Sequence, residues 1–514
     1  MRQPSGWRLA LALTAVTFCL SACWALLTPV FHGPDEPEHY DLISSLASNP
    51  HYPEYDQRGL DPTVDDLAQA MLNVGGGSRA PHLGAATPPP ILASADLSDP
   101  PTGAVRPASN QMPQHPPLYY ESMAAALRTM RLVDPGARAP AIASEVVFLR
   151  LLNAAVACTI PAAAMAALRL LSPRRTSGIA AGLACLVVPQ FSHISGSINN
   201  DNLMNLFAAW SIVALLSILR RGLTVRRAVA AGVLVGLGAM TKAFGLLLVP
   251  LLAFVLILAV VRGRDRGRSL RFAALGGMIA AVLGGWFWLS NLLAHGSVSP
   301  TTFFDRAPTR PEGSVVDHRA WLDLAVRAIP ERFWLSAGRY SVTFPDLLWK
   351  GLTVAGIALV VSGLVRLVRG GRWIEAGVAV APFVFTLLYV LEHAHSIYVR
   401  TTWTSFLQGR YLFVGIAGLA AVAAAGIPRV SQVWVKRLAP LLVLAVQAAA
   451  LASAANMFWG DGDGVRPGVW WRTVNAWSPW SPWILVLMGL LAAAATAVLA
   501  LEIGRDRPGA PSAV

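Results

Sequence analysis

The sequence predicts an all-α, polytopic integral membrane protein with about 12 transmembrane helices. Three observations lead there. The 514 residues are 55% hydrophobic and only 13% charged, with mean hydropathy +0.52, whereas a soluble globular chain carries about 25% charged residues. Apolar runs long enough to cross a bilayer recur along the whole chain. Basic residues gather in every second connection between those runs, as positive-inside topology requires.

The expected spans are about 9–30, 143–168, 177–195, 202–219, 228–241, 244–261, 272–293, 347–365, 374–391, 411–427, 438–457 and 482–502. The connections holding Arg174 and Arg175, Arg220 to Arg227, Arg262 to Arg271, Arg366 to Arg372, Arg429 to Arg437, and Arg505 with Arg507 all fall on one side. Those connections are short and basic, which makes that side cytoplasmic and puts both termini there. The same distribution explains the net charge of +13 without a nucleic-acid partner. The chain divides into a first transmembrane helix (1–32), a long outer loop (33–142), a transmembrane module (143–293), a second outer loop (294–346) and a C-terminal transmembrane module (347–514).

The first span contains Leu20-Ser21-Ala22-Cys23, which has the form of a bacterial lipobox. The apolar run continues through Trp24 to Leu27, so the segment is expected to stay as a membrane helix. Cys19, Cys23, Cys158 and Cys185 all lie in apolar runs. Neither a disulfide framework nor a cysteine metal site is expected from them.

The outer connections carry the polar character. A helix is expected from Pro37 to Leu46, because proline suits a first helical position and Leu42, Ile43 and Leu46 share a face. Residues 74–113 are rich in Gly, Pro, Ser and Ala and read as a mobile loop. A second amphipathic helix follows Pro116-Pro117. Both helices are expected to lie along the membrane surface. Trp459, Trp470, Trp471, Trp477 and Trp480 read as an interfacial belt.

Directly after the first span comes Pro34-Asp35-Glu36-Pro37-Glu38-His39. One acid would suffice to cap the following helix. Three acids with His32 and His39 exceed that need and point to chemistry. Group transfer to a hydroxyl needs a carboxylate to accept the proton. Carboxylates beside a histidine can also hold a divalent cation such as Mg or Mn, here through Asp35, Glu36 and His39, although their spacing fits no defined ligand set.

Further motifs join this one. Gln114-His115-Pro116-Pro117-Leu118-Tyr119-Tyr120 places His115 and Tyr119 where they can face the same cavity. Asn199-Asn200-Asp201-Asn202 opens the fourth span with more amide and acid groups than a cap requires. Gln408-Gly409-Arg410-Tyr411 puts one guanidinium at the mouth of a span, where it can snorkel or grip a phosphate. Lys242 lies between two apolar runs and is a second phosphate candidate. Every one of these motifs is expected on the same side of the membrane.

Together, the acidic pair after the first span, the long first outer loop and the His-Pro-Pro-Leu-Tyr-Tyr segment resemble the GT-C superfamily of polytopic glycosyltransferases. The sequence looks closest to a bacterial membrane family with Pro-x-Asp-Glu-x-x-His, Asn-Asn-Asp and Gln-Gly-Arg-Tyr motifs. The resemblance implies a GT-C-like N-terminal half, a polyprenyl-phosphate sugar donor, an outer-face site in the bacterial plasma membrane and an acid of the first loop as base. That role falls on Asp35, with Glu36 as its neighbour or a metal ligand. In this reading Arg410 and Lys242 stabilise the departing lipid phosphate, and His39, His115 and Asp201 position sugar or metal. Tyr119, Asn200, Gln408 and Tyr411 complete the expected substrate site. The acceptor is a cell-envelope glycan, lipid or protein. The alternative is a transporter or flippase of a lipid-linked envelope precursor, a class that places polar groups on broken helices at mid-membrane.

Overall fold

The computed structural model describes residues 6–55, 57–74, 81–88, 110–133, 142–172, 178–300, 308–428 and 432–505. The Gly- and Pro-rich residues 75–80 and 89–109, read above as a mobile loop, lie outside the described residues, as do Arg174, Arg175, Arg429 and Arg507.

Helices dominate, and the strands are two residues each: β1 (Ser336–Ala337) and β2 (Val342–Thr343), paired antiparallel. Among the described residues nine helices are long and apolar enough to cross a membrane. Counting each of two bent helix pairs as one span raises this to eleven. The protein is therefore a multi-pass membrane protein, with nine to eleven of the about twelve expected spans recognisable by length and composition among the described residues. The bent pairs are Gly178–Leu186 with Pro189–Ser195, at 74°, and Arg266–Gly284 with Trp286–His295, at 53°. The remaining expected span, 228–241, is the 15-residue helix Val225–Ala239. It starts beside Arg221, to whose carbonyl Arg227 donates, and leads to Lys242, which meets Asp201 at the far end of the helix Asp201–Arg221, so the segment runs the length of that neighbouring span.

The first span is α1 (Gly6–Leu27), and Cys23 is buried within it. Behind it come α2 (Glu36–Ser48), α3 (Pro62–Asn73) and α4 (Leu118–Val133). Both amphipathic helices form where periodicity placed them, and they bury more than a surface position would. Ten of the 13 residues of α2 are buried. Its Leu42, Ile43 and Leu46 share a core with Tyr119, Tyr120 and Leu127 of α4. Burying such side chains is worth about 1.5–3 kcal/mol each, so this core holds the connection firmly against the membrane helices.

The tryptophan belt needs a similar correction. Trp459 and Trp477 are 2% and 4% exposed and belong to that core, and the Trp459 indole donates to the Leu27 carbonyl at 2.8 Å. Of the residues expected in the belt, Trp471 is the one with a broad exposed face, at 38%.

Candidate functional site

The site begins where α1 ends. Arg150, on the span Ile142–Leu171, is wholly buried and reaches the end of α1. It donates to the carbonyl of Ala25 in the last turn of α1 and to those of Thr28 and Pro29 just beyond it. The same guanidinium grips Glu36 through two parallel hydrogen bonds of 2.7 and 2.6 Å. Glu36 also accepts from the backbone N–H groups of Gly33 and Ile198. A Cβ at Gly33 would lie 2.3 Å from the Glu36 carboxyl carbon, so only glycine allows this approach. Burial raises the Glu36 carboxyl and Arg150 lowers it, and the net result is lowered.

Asp35 is turned the other way. It occupies the N-cap position of α2 with φ 58°, a left-handed conformation that aspartate tolerates better than most residues. Its side chain makes no cap hydrogen bond. Instead it meets Arg410 at 2.5 Å. The Asp35 side chain is 41% exposed and that of Arg410 only 2%. Burial pushes the Asp35 carboxyl up, but Arg410, with smaller help from His39 and Lys242, brings it down to about 2. It is an anion at any physiological pH.

These two residues border a cavity of about 220 Å³, lined also by Glu38, Gln190, Ser336, Arg339 and Gln408. Gln408 introduces the short helix Gly409–Gly415. Gly409 sits against the end of the helix His318–Trp334, where a Cβ would come within 2.2 Å of the Phe333 nitrogen. That contact fixes Arg410 next to Arg332, whose guanidinium stacks on Tyr340 and donates to the Leu407 carbonyl. Two buried donors of Arg410, Nε and Nη1, have no hydrogen-bond partner among the described residues. Leaving such donors unsatisfied is costly, and an anion in the cavity would engage them.

The other motifs gather beside this cavity. Tyr411 lies between two cations, with Arg410 5.3 Å and Lys242 5.4 Å from its ring centre. Lys242 is paired with Asp201 at 2.6 Å. His39 is stacked on Tyr120 and shares a 3.0 Å hydrogen bond with its hydroxyl, to which Asn200 also donates at 3.4 Å. Burial holds the His39 imidazole down at about 4, so it is neutral. Tyr119 donates to Asn153. His115 accepts from Tyr52 through its backbone carbonyl, and burial lowers its imidazole well below the usual range.

The metal set expected from Asp35, Glu36 and His39 is not assembled. Among the described residues no three His, Cys, Asp or Glu side chains are grouped to hold a metal ion. The reason is local: Arg150 takes both Glu36 oxygens and turns that carboxylate away from Asp35, while Tyr120 occupies His39. These residues do not fit a divalent cation.

Several residues of the site carried no role in the sequence reading. Arg150 stands alone in an apolar run and signals nothing by spacing. Gln190 sits beside the helix break and accepts from the Ser336 N–H at 2.7 Å. Ser336 and Arg332 flank Phe333-Trp334 at the end of the second long connection. Glu38 belongs to the acidic cluster, but its place in the cavity depends on the helical turn from Asp35.

The fold and site define a multi-pass helical membrane protein with an ion-paired, cation-rich cavity at the end of its first span. Residues 18–419 match the family described as "Predicted membrane protein (DUF2142)", and the chain belongs to that family. Among solved structures it is similar to ArnT from Cupriavidus metallidurans bound to undecaprenyl phosphate, at 15% identity and TM-score 0.45, over 97% of this chain and 78% of that one. It is also similar to the Archaeoglobus fulgidus oligosaccharyltransferase in the apo form, at 13% identity and TM-score 0.41, over 97% of this chain and 56% of that one. A third is AglB from Archaeoglobus fulgidus in complex with an inhibitory peptide and a dolichol-phosphate, at 14% identity and TM-score 0.39, over 98% and 56%. No curated protein sequence is significantly similar to the chain.

Proposed function

We propose that the protein is a membrane glycosyltransferase of the GT-C type, moving a sugar from a polyprenyl-phosphate donor to a cell-envelope acceptor. The supporting observation is the Asp35–Arg410 pair at the mouth of one cavity, with two further Arg410 donors free. In this reading the cavity faces the outer side of the bacterial plasma membrane and both termini are cytoplasmic, as the positive-inside rule gives for the short Arg-rich connections of the sequence.

The chemistry balances with these residues alone. The acceptor hydroxyl attacks the anomeric carbon, and its proton passes to the Asp35 carboxylate. The bond from that carbon to the phosphate oxygen breaks, and its electron pair leaves with the polyprenyl phosphate. Arg410 meets the negative charge that develops, in a buried setting where charge complementarity is strong. A donor phosphate on Arg410 also competes with Asp35 for the guanidinium, which frees the carboxylate as the donor binds. Lys242, paired with Asp201, packs on the same Tyr411 ring as Arg410 and is the second cation of this reading.

The bent pairs are also what a transporter of a lipid-linked precursor would use. Release of free polyprenyl phosphate separates the two readings. Purified protein supplied with polyprenyl-phosphate sugars and envelope acceptors is expected to release the free carrier. Translocation of intact donor across a vesicle membrane without any release would refute transfer and favour transport.

A further inference from the structure

Two polar residues that line the cavity have no part in the phosphate reading above. Glu38 lines it one helical turn beyond Asp35, and its Oε2 is buried with no hydrogen-bond partner among the described residues. Ser336 lines it from β1. That residue is 4% exposed, and its Oγ is likewise buried without a partner. Its backbone N–H donates to Gln190, which anchors this point of the chain in the cavity wall.

A helix N-terminus favours an acid in its first turn. That accounts for a carboxylate at Glu38, but not for one left unpaired in a cavity beside a buried free hydroxyl. Each buried polar atom without a partner costs about 1–3 kcal/mol, and a ligand carrying several hydroxyls could satisfy both of these from the cavity that their residues line. Opposite charge draws a phosphate to Arg410 and Arg339, which line the same cavity. A neutral polyol suits the Glu38 end, since hydroxyls both donate to a carboxylate and accept from a serine.

We infer that Glu38 and Ser336 form the sugar end of the cavity, holding hydroxyls of the transferred glycosyl unit while Arg410 holds the phosphate. This rests on the lipid-linked sugar substrate proposed above, though not on whether the sugar is transferred or transported. Glu38 and Ser336 then set donor specificity. A site built to hydrogen-bond a hydroxyl discriminates strongly against a ligand that lacks it, because its own buried groups are left unpaired.

The test compares three lipids on full-length protein in nanodiscs: undecaprenyl phosphate alone, and undecaprenyl phosphate carrying one pentose or one hexose. Wild type should bind at least one glycosylated lipid more tightly than the bare carrier. Glu38→Gln and Ser336→Ala should each weaken that lipid about tenfold or more, as the loss of one hydrogen bond to a buried group predicts. Their affinity for undecaprenyl phosphate should stay within about twofold of wild type, which also reports that both variants are folded. Glu38→Asp, which keeps the carboxyl, should recover part of the loss. Equal weakening of bare and glycosylated lipid, or no weakening of either, overturns the sugar end. A wild type that gains nothing from the sugar overturns it as well. If carrier release fails while the Glu38-dependent preference persists, glycosyl transfer is refuted and the sugar end stands.

Discussion

Glu36 and Arg150 are both wholly buried and are joined by two parallel hydrogen bonds, with Arg150 also closing the carbonyl end of the first span. The pair fastens the start of α2 to two membrane helices and so sets the direction in which Asp35 points. Breaking a buried ion pair from one side leaves an uncompensated charge and costs about 3–5 kcal/mol. Arg150→Met should therefore lower the thermal unfolding midpoint sharply and reduce the yield of folded protein. The double variant Arg150→Met with Glu36→Gln, which strands no charge, should recover part of the loss. Equal stability of Arg150→Met and wild type would refute this role.

Gly409 predicts a second structural effect. The missing side chain lets the segment before Arg410 lie against the Phe333 backbone. Gly409→Ala must push the two apart, and overpacking of this kind costs about 1–3 kcal/mol. The displacement also moves Arg410 away from Asp35. The variant should lose affinity for undecaprenyl phosphate in addition to stability, measurable by lipid binding and thermal unfolding on the same sample.

Arg410→Lys keeps the positive charge and loses the planar fork. One Arg410 nitrogen holds Asp35 while two others are free, an arrangement an ammonium cannot reproduce. Affinity for undecaprenyl phosphate should fall in Arg410→Lys nearly as far as in Arg410→Ala. Wild-type affinity in the lysine variant would show that charge alone matters.

The cavity also predicts a pH dependence of stability. Burial, then the charge of Asp35, raises the Glu38 carboxyl from its ordinary 4.5 to about 7. Between those values the folded protein holds a proton that the unfolded chain has released. The associated stability is complete below pH 4.5 and lost as pH rises through about 7. Glu38→Gln cannot titrate at this position. The wild-type unfolding midpoint should fall relative to that of Glu38→Gln as pH goes from 5 to 8, and parallel curves would contradict the assignment.

Much of this architecture was legible because hydropathy and charge placement act over long windows. The runs ending at Leu27, Arg221 and Arg262 are helices of the kind expected. The groups around Asp35, Asp201 and Arg410 were recognisable as polar residues that membrane ends do not need. What local sequence could not supply was the division of labour between adjacent acids. Asp35 and Glu36 read alike, and they differ because Arg150 and Arg410, from distant helices, each claim one. The metal set failed for the same reason. The tryptophans misled in a related way: an indole at a span end suits the interface or a core equally, and Trp459 becomes core because the Leu27 carbonyl is there to receive its N–H.

Asp35 is the residue on which the proposed chemistry turns. It stands at a strained N-cap position yet caps nothing, and its carboxylate is held ionised by Arg410. Asp35→Asn keeps the size and removes the proton acceptor. General base catalysis contributes about 10²–10⁴-fold, so release of polyprenyl phosphate in the presence of acceptor should fall by that order. Arg410 would lose its counter-ion in this variant, so donor phosphate should bind as tightly as before or more tightly. That pattern, with turnover lost and donor affinity kept or gained, separates a base from a residue that only shapes the pocket. A general loss of fold would lower both quantities together, and Asp35→Glu, which keeps a carboxylate at a slightly different reach, should retain part of the turnover. Wild-type release rates in Asp35→Asn would remove Asp35 from the proton transfer.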